Sequence, residues 1–474
     1  MLRIRSIWPI FVLILCAALA SCGGNNQLGS QQQNSGNSSV VLAMTDTPPS
    51  LVSILSAQVT LTGATLAPGN VSLFSGSTTV ELTRLQTDIA YIATATNIPA
   101  GNYTSVTLTF ANPSLTIEND LPTTIAGCAS GSVCPVVPTA TSLSTTVPLT
   151  SFSIASSSTT GLLIDVNLEN LLSASLGADF SAGTTVTPFT PAGIGAPPVG
   201  AEDVVGHVGN INATSKTFTL TNAAATYSLK ADNTSTFFPT SLCATSGFAC
   251  LQNNQILSVD IGIQSDGSIL ARNILFEDAD SSDAEVEGII TSTNAASQQF
   301  NMVVLTISGS GTGLTIGGQA TVQYSTSLPT PFDIDFLHVD NLQLSTSSFS
   351  SSFTGAADLV AGQQVSIRRN SSSTSTLIAD RVRLRSSRVT ATVQSVGAPN
   401  INLGSLPSLF FGHGGVTLIQ AQTSITPPTI YFEVGGSINS STNLLGELVS
   451  VRGPLFNTGG TNRTLVATKV VLKP

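Results

Sequence analysis

The densest run of chemistry-bearing side chains is Phe332-Asp333-Ile334-Asp335-Phe336-Leu337-His338-Val339-Asp340. Strand alternation puts Asp333 and Asp335 on one face. Two carboxylates spaced this way can act as general acid and base, or hold a cation. The same pattern also suits a solvated strand face. A second acidic stretch runs Glu277-Asp278-Ala279-Asp280-Ser281-Ser282-Asp283-Ala284-Glu285 and continues to Glu287. Carboxylates at alternating spacing ligate Ca²⁺, but their order from Asp278 to Glu287 departs from the EF-hand pattern. The stretch reads as a charged linker, with calcium stiffening as the alternative. His207 aligns with an apolar strand position, and His413 sits in the loop Gly412-His413-Gly414-Gly415. The local pairs Cys128/Cys134 and Cys243/Cys250 frame short polar loops. In an exported chain they read as disulfides, because neither the Cys-x-x-Cys spacing nor a nearby histidine supports a metal knuckle. No Gly-x-Ser-x-Gly elbow, His-Glu-x-x-His helix or Gly-Lys-Ser/Thr phosphate loop is present. These readings assign no catalytic residue, no cofactor and no metal site.

Of the two other cysteines, Cys16 lies in an apolar N-terminal run and Cys22 is different. Arg3 and Arg5 precede an apolar run from Ile10 to Ala20, which is shorter than the roughly 20 residues a bilayer span needs. Leu19-Ala20-Ser21-Cys22 closes that run and resembles the lipobox of bacterial lipoproteins. The resemblance implies cleavage before Cys22 and a diacylglycerol on its sulfur. Two acyl chains anchor stably where one is marginal, at about 0.8 kcal/mol per buried methylene. Gly23 follows Cys22, and absence of aspartate there implies outer-membrane sorting in double-membrane bacteria.

Positioning elements are read from composition and periodicity. Charged residues make up 9% of the chain and hydrophobic residues 41%, so the chain is not disordered by the low-hydrophobicity, high-charge criterion. Without residues 1–21 the charge is near −12, from 14 basic and 26 acidic groups. That balance excludes a basic nucleic-acid footprint. Runs of Val, Ile, Leu, Thr and Phe between Gly, Asn and Ser turns indicate an all-β chain. Trp8 is the single tryptophan and leaves with the signal, while five tyrosines remain. Sugar sites commonly stack rings on such side chains.

After a polar tether at 22–38, a β-sandwich is expected over 39–188, with alternating strands such as Thr104-Ser105-Val106-Thr107-Leu108-Thr109-Phe110. Its Thr45-Asp46-Thr47-Pro48 opening, Pro99-Ala100-Gly101-Asn102-Tyr103 turn and Leu163-Ile164-Asp165-Val166-Asn167-Leu168 strand resemble an uncharacterised family of envelope lipoproteins. A Pro/Gly linker is read at 189–203. Three units follow, at 204–284, 285–388 and 389–474. Each ends alike: Leu257-Ser258-Val259 before Leu270-Ala271-Arg272, Val365-Ser366-Ile367 before Ile378-Ala379-Asp380, and Val449-Ser450-Val451 before Val466-Ala467-Thr468. Units of this size suit small closed barrels, and they resemble a second uncharacterised family of bacterial β-domains. The fold expected is therefore an N-terminal β-sandwich followed by three tandem small antiparallel β-barrel-like domains.

The function expected is that of a non-enzymatic envelope lipoprotein. Its partners would be the membrane, through its lipid, and an envelope polymer or protein ligand, with no nucleic acid. Two alternatives stand beside it: a carbohydrate-binding lipoprotein, and a hydrolase using Asp333, Asp335 and His338.

Overall fold

Period-two alternation does produce strands, and these sort into one sandwich and three small barrels. The computed structural model describes residues 38–47, 53–191, 201–222, 225–238, 247–276, 285–308, 313–325, 331–335, 352–369, 376–410, 415–423, 428–433 and 444–473. Cys22, Cys243, His338, Asp340, His413 and the acidic residues before Glu285 lie outside the described residues. Among the described residues no helix is long and apolar enough to cross a membrane.

One sandwich sheet has the order Thr184–Phe189, Thr159–Asn167, Ser38–Thr47, Ala90–Ile98. The other is built on the long strands Ser53–Ala67 and Gly101–Glu118, flanked by Val71–Glu81, Val133–Val136 and Ser144–Ile154. Val40, Leu42, Met44 and Ile164 of the first sheet meet Val59, Leu61, Val106 and Leu108 of the second in one core. The run Val40-Val41-Leu42-Ala43-Met44 does not alternate because its sheet is covered on both faces, which favours continuous apolar strands. Its other face, through Val41, Ala43 and Leu163, is part of the first barrel's core. Cys128 and Cys134 form a disulfide across Cα atoms 5.7 Å apart. Cys250 is also disulfide-bonded.

The first barrel uses Val204–Asn212, Thr217–Thr221, Thr226–Lys230, Ile256–Ile263 and Ile269–Phe276. The second uses Glu285–Asn294, Gln299–Ser308, Gln319–Tyr324, Gln364–Arg369 and Thr376–Leu384. The third uses Ser386–Gly397, Asn400–Gly404, Leu418–Gln422 and Leu448–Asn457, then an interrupted last strand, Asn462–Val466 and Lys469–Leu472. In each, the first strand pairs with the second and fourth, and the third closes on the fifth. That ring is the strand order of the five-stranded oligonucleotide- and oligosaccharide-binding barrel, an architecture that hosts unrelated functions. The strands are mostly antiparallel, as the sequence suggests, and the closing pair is parallel in all three barrels. Hairpin patterns report neighbouring strands, but the closing contact joins strands far apart in the chain. A short extra strand also runs parallel to the last one in each barrel: Thr236–Phe238, Phe332–Ile334 and Ile430–Glu433. The serines Ser258, Ser366 and Ser450 occupy one shared register, opposite Val205, Glu287 and Thr390 on the first strands.

The barrels do not extend as a string. Phe456 and Val466 of the third barrel enter the core of the second. Leu55 of the sandwich packs with Val303 and Leu409 of the second and third. Thr94 donates to the Gly267 carbonyl at 2.8 Å and Thr116 to that of Gly317 at 2.5 Å, docking turns of two barrels on the sandwich. Ser35–Pro474 is thereby one compact unit.

One glycine marks how closely the strands approach. A Cβ on Gly288 would lie 2.5 Å from the Val303 carbonyl oxygen, a backbone atom that cannot swing away. Overpacking of this kind costs about 1–3 kcal/mol. Gly288→Ala is expected to lower the thermal midpoint, whereas Gly397→Ala, with nothing within 4 Å of its Cβ, is expected to leave it unchanged; differential scanning calorimetry of the two variants decides.

Candidate functional site

Sparse charge makes each buried ion conspicuous, and the buried ions gather where the modules meet. The third barrel carries Arg388, Arg452 and Lys469 side by side on three adjacent strands, paired Arg388 to Arg452 and Arg452 to Lys469. Three aligned cations repel one another unless carboxylates intervene. Asp88, placed just after the sandwich's short 3₁₀ turn Leu82–Gln86, supplies the first. Its oxygens accept from Arg388 at 2.7 Å, Arg452 at 3.1 Å and Lys469 at 2.8 Å. Burial alone would raise the Asp88 carboxyl, but Lys469, Arg452 and Arg388 together hold it well below the usual carboxylate range.

Glu202 and Asp203, at the entry to the first barrel, supply two more. Glu202 pairs with Arg452 and, at 2.8 Å, with Lys469; Asp203 meets Arg452 at 2.8 Å. Asp203 has φ +53, a left-handed conformation that Asp tolerates better than most residues. That turn also lets its N–H donate to Asp260 of the first barrel at 3.0 Å. Burial, reinforced by the Asp203 charge, pushes the Asp260 carboxyl up to about 6. On the second barrel, Glu287 accepts from Arg84 of the sandwich at 3.4 Å, Thr306 at 3.0 Å and Gln364 at 2.5 Å. Burial opposes ionisation there too, yet Arg84, Arg385 and Arg388 bring Glu287 down to about 2. Gln364 then donates to Glu287 and accepts from Arg388 at 3.2 Å, which closes the network.

Beside this network lies a cleft of about 790 Å³ between the sandwich and the first two barrels. Its lining includes Arg84, Asp88, Glu202 and Asp203 from the network. Apolar lining comes from Ile89 and Tyr91 of the sandwich, Val204 and Tyr227 of the first barrel, and Leu305, Ile307, Leu314 and Ile316 of the second. The Tyr91 and Tyr227 rings stand 6.5 Å apart, tilted by 49°. Burial, with Tyr91 adding to it, pushes the Tyr227 phenol up to about 12. Tyr91 donates to Thr94 at 2.9 Å. The volume is in the range of small-molecule sites, which commonly sit between domains and combine apolar walls with a few polar groups.

The residues singled out from sequence fall elsewhere. Asp333 pairs with Arg381. Asp335 lies 3.7 Å from Arg383 and 3.5 Å from Arg385. Both carboxylates are therefore engaged by arginines of the neighbouring strand, in the register Asp333 to Arg383. Glu285 pairs with Arg385 at 3.1 Å. His207 is exposed on the first barrel's opening strand. Among the described residues no group of three His, Cys, Asp or Glu is placed to hold a metal ion. The motif residues Asp46 and Asp165 lie on adjacent parallel strands and are buried together with Lys473, whose ammonium donates to the Asp46 carbonyl at 2.6 Å. Burial raises both carboxyls and lowers the Lys473 amine. Sequence reading missed the network; of its cations only Lys469 lies inside one of the repeated signature strands, and nothing in the local spacing links it to Asp88.

Residues 37–190 match the family described as a domain of unknown function, DUF4382. No curated protein matches the chain. Among solved structures, a multidomain protein with nucleic acid binding domains from Streptococcus pneumoniae TIGR4 is similar at 11% identity, over 57% of this chain and 73% of its own. Its TM-score is 0.11, too low to carry an argument.

Two outcomes test the network. Asp88→Asn leaves the three cations short of one carboxylate, and breaking a buried pair costs about 3–5 kcal/mol; urea unfolding should show a loss of that size. Asp88 and Glu287 have depressed carboxyls, so their stabilisation is present above the unfolded range near ~4 and is lost as pH falls through their folded values. Asp260 has the opposite sign. Its contribution is present below ~4 and is lost as pH rises towards 6. Thermal midpoints measured across that window should decline less with rising pH in Asp260→Asn than in the parent.

Proposed function

We propose that this chain is a non-enzymatic, lipid-anchored protein of the bacterial cell envelope that captures a small ligand in the cleft between its sandwich and first two barrels. The observation that carries the reading is the state of the charges lining that cleft. Arg84, Asp88, Glu202 and Asp203 are each committed to partners inside the protein, so none is left over as an acid, base or nucleophile. What remains available is a shaped, largely apolar space, which suits binding.

Supporting the envelope assignment are the Leu19-Ala20-Ser21-Cys22 segment, Gly23 after it, and the polar stretch to residue 38. The three barrels are proposed to be copies of one unit, on the strength of their common strand order and the shared register of Ser258, Ser366 and Ser450. Carbohydrate binding remains the second reading because two of the five tyrosines, Tyr91 and Tyr227, come together at the cleft.

Mass spectrometry of the wild type and Cys22→Ala, both expressed in a bacterial host, tests the proposal with two readouts. Under denaturing conditions the wild type should carry a lipid-sized mass gain and partition into detergent, and the variant should do neither. Under native conditions the exported variant should retain a small molecule that Ile316→Glu, at the cleft wall, loses. An unmodified soluble wild type would overturn the anchor, and an empty native spectrum would count against capture.

A further inference from the structure

We propose that the cleft takes an uncharged, mostly apolar small molecule bearing one or two oxygen hydrogen-bonding groups, of the aryl or isoprenoid alcohol, ketone or ester class. This rests on the ligand-capture reading above and specifies the ligand for that site.

The first argument is electrostatic. Every charged side chain lining the cleft is already engaged from within, four by opposite charges and Glu81 by hydrogen bonds. Arg84 faces Glu287 at 3.4 Å, and Asp88 faces three cations. Glu202 and Asp203 face Arg452 and Lys469. Glu81 accepts from Ser56 at 2.6 Å, the Ala57 N–H at 2.8 Å and the Thr83 hydroxyl at 2.8 Å. A charged ligand would have to draw one of these groups from its partner and strand the other in a buried setting, which is strongly unfavourable.

The second argument concerns the polar groups that remain. Four side chains lining the cleft have no hydrogen-bond partner among the described residues: the Gln58 amide and the Thr78, Thr315 and Tyr227 hydroxyls. All four are neutral, and neutral hydroxyls and amides match uncharged oxygen groups on a ligand. Unpaired groups of this kind discriminate strongly, because an incoming ligand that fails to bond them leaves them desolvated.

The third argument is shape. Ile89, Val204, Leu305, Ile307, Leu314 and Ile316 present aliphatic surface, and Ile316 is still 37% exposed. The 49° tilt between Tyr91 and Tyr227 makes a corner rather than a flat stage. A corner receives a compact apolar body edge to face; a run of sugar rings would need a more coplanar platform.

The test uses the Cys22→Ala chain and three probes. These are the uncharged naphthalene ketone 6-propionyl-2-(dimethylamino)naphthalene, anionic anilinonaphthalene sulfonate, and maltose as a competitor. Trp8 is the single tryptophan, so emission from either dye is read against one indole at most. The naphthalene ketone should bind saturably with blue-shifted emission. Tyr227→Phe removes one hydrogen bond and should raise its Kd by about 2–10-fold. Ile316→Glu places a charge in the apolar wall and should raise Kd by at least about tenfold. Thermal midpoints of both variants check that the fold persists. If the anionic dye binds as tightly and with the same Ile316 dependence, or if maltose displaces the ketone, the ligand class is overturned while capture stands. If no probe shows saturable, Ile316-dependent binding, the capture reading itself fails.

Discussion

The architecture depends on one carboxylate. Asp88 is buried against Arg388, Arg452 and Lys469, three cations that the strand register of the third barrel places side by side. In a low-dielectric interior such a row could not persist without an anion between its members. Asp88 comes from the sandwich, and its companions Glu202 and Asp203 come from the entry to the first barrel. The pairing therefore ties the first folded segment to the last. Glu287 and Arg84 add the second barrel in the same way. Buried ion pairs contribute little net stability against well-packed apolar residues, but they penalise wrong arrangements heavily. In a chain with 9% charged residues, this network joins all four modules through buried ion pairs.

That placement has two consequences. The sandwich sheet carrying Ser38–Thr47 becomes apolar on both faces, because the first barrel covers the face that an isolated sandwich would present to water. The junction also leaves a cleft whose charged lining is satisfied internally and whose remaining surface is aliphatic, aromatic or neutral polar. A linear string of barrels would have no such space. The cleft is a by-product of packing convex barrels against a sandwich, with its character set by which residues the network had already consumed.

The motif residues inside the region that matches the domain of unknown function take structural parts. Asp46 and Asp165 share a buried site with Lys473, at the far end of the chain. Tyr103, from the Pro-Ala-Gly-x-Tyr turn, donates back to the Pro99 carbonyl at 2.8 Å and pins its own turn. The Asp165 carboxylate accepts from the Thr47 hydroxyl at 3.1 Å, as a buried polar group requires, whereas the Asp46 carboxyl oxygens have no hydrogen-bond partner among the described residues.

The sequence by itself determined the strands, the all-β class, the sandwich followed by barrels, and the Cys128–Cys134 disulfide. All of these arise from interactions between near neighbours: side-chain alternation, turn residues, and a loop short enough to close. It also displayed Asp333 and Asp335, but as a pair with no visible partner; the arginines that engage them lie on a strand some fifty residues further along. Only the tertiary structure decided the parallel closure of each barrel, the alignment of Arg388, Arg452 and Lys469 against Asp88, and the meeting of Tyr91 with Tyr227. Each of these joins residues from separate modules or distant strands. Their proximity depends on barrel closure and on which faces pack together, and local spacing along a chain carries no record of either.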